Sequence, residues 1–300
     1  HLELSHLYQK IAEGEGLIVF IKKVISLRDV EKDVQLQAAK DADEMMWNNG
    51  IVAVGDICNT SLTANIKAGS KIKYHNFVEL LGMESKNAHQ ILKNAISLKA
   101  NFTHATSLVP HSPYSVSATL LKELKNYCTH QQNLISIHNQ ESMEENYLYR
   151  YKTGAFIEFY KELGIDVSDF KPRSKTSFAA VLLALPKKES KLFVHNTFTS
   201  ISDVSLANRV GQGLNWCLCP NANWYIERQL PLITTLLQSK FPFTVGSDSL
   251  ASNHTLCILA EMRTLLNNFP QLNFAEVLKW ATLNGAQFFG FDDQLGSIKV

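Results

Sequence analysis

Leu134-Ile-Ser-Ile-His138-Asn-Gln-Glu141-Ser142 opens as a short apolar run of strand length and composition. It delivers a histidine at its C-terminal end, and a glutamate follows three residues later. A neutral imidazole at such a place can ligate a metal. A carboxyl just beyond it can move protons for an activated water. Taken alone, a strand-end histidine is ordinarily a hydrogen-bonded structural residue. The reading therefore turns on whether other strand ends carry matching chemistry.

Working outward, the same unit recurs. Ile51–Ile57, Tyr74–Leu81, Ala105–Val109, Lys191–Val194, Asn215–Leu218 and Phe243–Gly246 all read as strands. Helical patterns lie between many of them: Val30–Asn48, a stretch from Lys86 through Asn94, Ser117–Cys128, Glu144–Leu163, Glu227–Gln238, Thr255–Asn268 and Phe274–Phe289. Leu7–Ser26 has helical spacing around a break at Glu13–Gly16. Phe178–Ala184 is apolar and fits helix or strand equally. His1-Leu-Glu-Leu-Ser reads as the exit of one further strand, and the chain opens on His1 rather than Met, so it reads as a trimmed domain. Strand, loop and helix repeated in this way over 300 residues predict a (β/α)8 barrel in one domain, 1–300. An open doubly wound sheet is the alternative. The segment 171–177, with Pro172, is the one stretch placed to act as a lid or linker.

Composition narrows the functional classes. Hydrophobic residues make up 45%, enough for a large core, and the formal net charge of +1 gives no footprint for nucleic acid or anionic membrane. Five cysteines are scattered, and Cys217-Leu-Cys219 lacks zinc-ribbon spacing, so reduced thiols in a cytoplasmic protein are expected. The apolar runs Leu17–Ile21 and Ala179–Leu185 are too short for a bilayer, and the opening residues have no basic n-region or long apolar h-region. There is no Gly-x-Gly-x-x-Gly and no P-loop to hold a nucleotide cofactor.

The strand ends do carry matching chemistry: His1, His111, His138 with Glu141, His195 and Asp248. Each has an ordinary explanation. His111 can shape a proline turn, His195 can bond backbone, and Asp248 can cap a helix. All of them at the same structural address are better explained by one site, since a barrel gathers its strand ends around a single mouth.

The pieces that carry a resemblance are His1-Leu-Glu-Leu-Ser, Pro110-His111-Ser-Pro-Tyr114, His138-Asn-Gln-Glu141-Ser, Val194-His195-Asn, Cys219-Pro-Asn, Gly246-Ser-Asp248-Ser-Leu-Ala-Ser-Asn253 and Ala281-Thr-Leu-Asn-Gly-Ala286. In this order the chain resembles the amidohydrolase superfamily, in its metal-dependent aminohydrolase branch of deaminases and chlorohydrolases. The resemblance implies one divalent metal, Zn²⁺ as first choice and Fe²⁺ as second, held by His1, His138, His195 and Asp248. It implies Glu141 as proton shuttle, His195 as a group that orients the attacking water, and Asp248 as base. His111, Tyr114, Ser249 and Asn253 would face the substrate. Glu3 would do the same from the first strand, or would simply cap or salt-bridge at the barrel mouth.

The implied reaction is hydrolytic deamination of a cyclic amidine, such as the 6-amino group of an adenine nucleoside of the aminodeoxyfutalosine or adenosylhomocysteine type. Hydrolysis of another C–N or C–Cl bond is the alternative within the family, and a non-catalytic barrel is the alternative outside it. The partner is a small molecule, with no nucleic acid or membrane, and a homodimer is compatible. Three departures stand out. The first histidine of the family's paired first-strand ligands would lie before His1, the family's small β-sandwich has no counterpart here, and Cys219-Pro-Asn-Ala-Asn223 has Ala222 where the family usually has serine.

Overall fold

The computed structural model describes residues 1–171 and 174–298. Among them are seven parallel strands: β1 (Ala53–Cys58), β2 (Lys73–Leu80), β3 (Thr106–Pro110), β4 (Ile135–Asn139), β5 (Lys191–His195), β6 (Leu214–Leu218) and β7 (Phe243–Val245). β1, β2 and β3 form one sheet in chain order, and β4 to β7 form the second. Every ladder is parallel. Helices are interleaved with the strands and cover the outside, so β2 is buried from Tyr74 to Leu80 and β4 along its whole length.

Side chains, rather than a ladder, join the two sheets. Asn133 accepts from the Leu108 amide (2.9 Å) and donates to the Leu108 carbonyl (2.8 Å), and Ser107 Oγ accepts from the Leu134 amide (3.0 Å). At the mouth the His138 amide donates to the His111 carbonyl, 3.0 Å. On the opposite side no ladder joins β7 to β1 among the described residues. A cavity of about 490 Å³ lies there, lined by Val54, Gly55, Val245, Leu256 and Phe289 among others. The architecture is thus the expected α/β barrel, with seven described strands. The stretch His1–Ser5, read as a strand exit, instead leads into and forms most of a 3₁₀ helix, Leu2–Leu7, packed at the mouth.

Several helix boundaries differ from the sequence reading, each for a local reason. The span Glu144–Leu163 is two helices, Met143–Tyr151 and Ala155–Glu162. Lys152 turns left-handed (φ 52°), Gly154 follows at φ 97°, and Glu144 accepts from the Ala155 amide (2.7 Å) to start the second helix. Glu227–Gln238 is not one helix. Pro220–Glu227 precedes it and stops at left-handed Arg228, and only Ile233–Leu236 is helical beyond. Phe274–Phe289 breaks at Thr282. Phe178–Ala184 is helical, as part of Ser177–Ala184 capped by Thr176. Helices Ala64–Gly69 and Ile201–Val210 were not anticipated, although Ser200 and Asp203 close a capping box at the second. In the expected lid or linker, Pro172 and Arg173 lie outside the described residues, as do Lys299 and Val300 at the C-terminus.

The core between sheet and helices is aromatic at its centre. Phe178, Phe193 and Trp216 are fully buried, with ring centroids 5.0–6.0 Å apart. A buried ion pair lies closer to the mouth. Lys67 Nζ is 2.5 Å from Asp56 Oδ2 and 3.0 Å from both Cys58 Sγ and Asn76 Oδ1. The other Asp56 oxygen accepts from the Leu2 amide, 2.8 Å, so the pair anchors the 3₁₀ segment that begins beside His1.

Candidate active site and metal centre

The strands bring their chemistry to one end. β2 supplies Glu79, the turn after β3 supplies His111, β4 supplies His138, the next turn Glu141, β5 ends in His195, and Asp248 follows β7. With His1, Glu3, Tyr114 and Ser249 these residues line one cavity of about 690 Å³.

The β4–β5 register pairs Asn139 with His195, and His138 with Val194. A regular ladder would therefore send His138 and His195 to opposite faces. The structure breaks that alternation: His195 (φ 74°) and Asn196 (φ 60°) are both left-handed. His195 thereby stacks on His138 with centroids 5.5 Å apart. Asn196 holds the strained turn by donating to the Phe193 carbonyl (2.7 Å) and accepting from Asn139 (3.0 Å). Gln140 (φ 46°) and Asp248 (φ 56°) are left-handed as well, so three strand ends use unusual backbone to aim polar groups inward.

Tautomers follow from the hydrogen bonds. His138 Nδ1 lies 2.8 Å from the His111 carbonyl, which can only accept, so this nitrogen carries the proton and Nε2 presents a lone pair. His138 Nε2 lies 3.4 Å from His1 Nε2. His195 Nδ1 lies 2.9 Å from Asn223 Oδ1, and the Asn223 amide donates in turn to Thr197 Oγ1 (2.5 Å). His195 Nε2 then faces Glu141 Oε1 at 3.5 Å. Glu145 fixes the Glu141 backbone by accepting from the amides of Gln140 (3.0 Å) and Glu141 (2.7 Å). Ser252 donates to Asp248 Oδ2, 2.7 Å.

Burial sets the charges. It lowers His138 to about 4, helped by His111, and lowers His111 to about 4, so both imidazoles are neutral at pH 7. Burial, reinforced by Asp248 and Glu227, pushes the Glu141 carboxyl well above the usual carboxylate range. Burial acts the same way on Asp248, but His195 and His138 outweigh it and hold Asp248 below its ordinary value. Two carboxyls in one cavity are thus pushed apart, one toward acid and one toward base.

These donors fit a divalent cation. His1, Glu79 and His138 each offer a ligand atom, mutually within 4.8 Å, and Glu141, His195 and Asp248 form a second such group. Buried Glu79 Oε1 and His1 Nδ1 have no hydrogen-bond partner among the described residues. Imidazole nitrogens with carboxylate oxygens suit a borderline ion.

Of the residues anticipated from sequence, His1, Glu3, His111, Tyr114, His138, Glu141, His195, Asp248 and Ser249 all line this cavity. Glu3 is occupied: its carboxylate accepts from the Asn59 amide (2.9 Å) and from Thr60 Oγ1 (2.9 Å), which ties the 3₁₀ segment to the loop after β1. Asn253 does not line the cavity. It donates to the Ser247 carbonyl (2.8 Å) and to Glu261 (2.7 Å), and so braces the Asp248 loop. Two residues were missed. Glu79 sits between Val78 and Leu80 in the stretch Tyr74–Leu81 and reads there simply as part of the strand. Asn223 is buried against His195, so the Cys219–Asn223 segment orients that imidazole although Ala222 replaces the family's serine. Asn223→Ala is expected to lower metal affinity about 10–100-fold, read by chelator competition. Unchanged affinity would remove His195 from the ligand set or Asn223 from its support.

The sequence profile of the Amidohydrolase family matches residues 35–300. An adenosine deaminase of Helicobacter pylori is 27% identical over 257 residues, 83% of this chain and 62% of that protein. The chain spans about half the length of the other curated relatives it matches. Among solved structures, Helicobacter pylori aminofutalosine deaminase in complex with methylthio-coformycin superposes with a TM-score of 0.85 at 21% identity, covering 100% of this chain and 74% of that one. An adenosine deaminase from Xanthomonas campestris with bound zinc gives 0.76 at 18% identity, covering 100% and 67%. With barrel, strand-end donors and profile in agreement, the chain belongs to the amidohydrolase family.

Proposed function

We propose that this chain is the catalytic barrel of a metal-dependent hydrolytic deaminase, acting on the 6-amino group of an adenine nucleoside-like substrate, with Zn²⁺ as the ion. The observation that carries the reading is Glu141. It is a buried carboxyl held toward its protonated form, 3.5 Å from His195 and in the same donor group as an ionised Asp248. Hydrolysis of a plain amide needs no acid aimed at a ring nitrogen, whereas an amidine does.

His1, His138, His195 and Asp248 would hold the ion, with Glu79 as a further donor. The ion, when bound, lowers the pKa of water at the site. Asp248 accepts the proton of the attacking water, and His195, fixed by Asn223, sets its direction. Glu141 gives its proton to the ring nitrogen adjacent to the amine-bearing carbon, which makes that carbon electrophilic. Oxygen adds to the carbon, the C–N bond breaks, and ammonia departs with a proton returned through Glu141 or Asp248. The deaminase names of the relatives support this reaction, as does the coformycin-type inhibitor named with the similar structure. No described helix is long and apolar enough to cross a membrane. A cytoplasmic setting belongs to the same reading.

Ammonia release by the metal-loaded protein tests it, with aminodeoxyfutalosine, adenosylhomocysteine, methylthioadenosine, adenosine, guanine and cytosine as candidates. Release from one or more adenine nucleosides is expected. Silence across the series, with bound metal verified, would overturn the deaminase reading in favour of other C–N or C–Cl bonds.

A further inference from the structure

Glu261 belongs to the helix Ile258–Asn268, which follows β7, and its carboxyl is fully buried between two segments of the site. One oxygen accepts from the Asn221 backbone amide (2.9 Å), the other from the Asn253 side-chain amide (2.7 Å). Each contact leads to a different member of the donor group Glu141, His195 and Asp248. Asn221 lies in the first turn of the helix Pro220–Glu227. That helix has no side-chain cap at Cys219, and Pro220 has no amide hydrogen to offer. Glu261 supplies from another helix the acceptor that the local sequence lacks. Two residues on, the same turn carries Asn223, whose Oδ1 lies 2.9 Å from His195 Nδ1. Thr264, one turn along from Glu261, donates to Asn221 Oδ1 (2.6 Å) and fixes the same junction a second time. On the other side Asn253 donates also to the Ser247 carbonyl (2.8 Å), immediately before Asp248 with its left-handed backbone.

We infer that Glu261 is a positioning residue for the metal centre: one carboxyl, reaching neither the ion nor the substrate, ties the segment that orients His195 to the loop that presents Asp248, and so sets the spacing of the two. The residues it serves arrive from different strands, β5 and β7. A single rigid tie between their supports holds them together more closely than two independent braces could. The identity of the side chain matters to this role. Glutamate accepts on both oxygens, whereas glutamine, of nearly the same shape, must turn its NH₂ toward either the Asn221 amide or the Asn253 amide and break one arm. The inference rests on the metal-centre part of the functional reading and is independent of what the substrate is.

The test loads the protein with Co²⁺, whose visible absorption bands report the arrangement of its donor atoms. In Glu261→Gln those bands should shift or change intensity, and affinity for Zn²⁺, read by chelator competition, should fall about 10–100-fold. Leu124→Ala, a cavity-forming change in the helix Ala118–Cys128 between β3 and β4, controls for lost stability and should leave both readouts at the level of the unsubstituted protein. Unchanged bands and affinity in folded Glu261→Gln overturn the inference and leave Glu261 a structural residue, as do equal changes in Leu124→Ala. If Glu261→Gln does not fold, Asn253→Leu cuts the Asp248 arm and Thr264→Val loosens the His195 arm. Altered Co²⁺ bands in Asn253→Leu then support the inference, and unchanged bands in both variants overturn it. None of these readouts uses a substrate. Altered bands in Glu261→Gln, with no ammonia released from any nucleoside by the unsubstituted protein, keep the role of Glu261 and sink the deaminase reading. Failure of the unsubstituted protein to bind Co²⁺ or Zn²⁺ overturns both.

Discussion

Glu141→Gln is expected to lower deamination by about 10²–10⁴-fold while bound metal stays at the level of the unsubstituted protein. The glutamine is nearly isosteric and can still hydrogen-bond, but it has no proton to give to a ring nitrogen and cannot take one back for the departing ammonia. The geometry makes the accompanying metal analysis decisive, because Glu141 also lies within reach of His195 and Asp248 as a potential ligand. Loss of activity with metal retained identifies a proton carrier. Loss of both would make Glu141 a ligand, and retention of both would leave the proton route to another group.

Lys67→Met is expected to destabilise the fold by about 3–5 kcal/mol at neutral pH, measured by denaturant unfolding. Lys67 is fully buried, and its removal strands the Asp56 carboxylate. Burial alone would raise Asp56, but Lys67 outweighs it and holds it down to about 2. A depressed carboxyl contributes stability above its ordinary value near 4, and that contribution fades as pH falls through about 2. In the variant the lysine is gone and burial prevails, so Asp56 takes up its proton at higher pH. The deficit relative to the unsubstituted protein should therefore be largest at pH 7 and shrink toward pH 3. A deficit independent of pH would attribute the loss to packing alone. Because Asp56 also accepts from the Leu2 amide, the variant loosens the segment that presents His1.

How far the sequence reaches can be judged from these same residues. His138, His195 and Asp248 were legible because each follows a short apolar run, and a parallel barrel converts such positions into neighbours. Glu79 was not, since β2 mixes polar and apolar residues, and a carboxylate within such a strand gives no periodic signal that marks it as a cavity-facing group. The break at Lys152 escaped notice because apolar spacing continues across it, and only the left-handed backbone reveals the stop. The Asp56–Lys67 pair is invisible to composition, because burying two charges depends on residues brought together by the fold. Glu3 and Asn253 were both expected to face the substrate; Glu3 lines the cavity and Asn253 does not, and the hydrogen bonds of both brace loops, a distinction that residue type alone does not carry.

The seam between β3 and β4 bears on how the chain can fold. Each ladder joins strands consecutive in sequence, so the loops to be closed within β1–β3 and within β4–β7 are short relative to the chain. Between these blocks there is no ladder among the described residues; the bidentate bridge of Asn133, the Ser107 contact, the two hydrogen bonds from His138 to the His111 carbonyl and a shared hydrophobic core join them. Pairing within each block is therefore expected to precede closure of the seam, which brings Glu79 and His111 of the first block to His138, Glu141, His195 and Asp248 of the second.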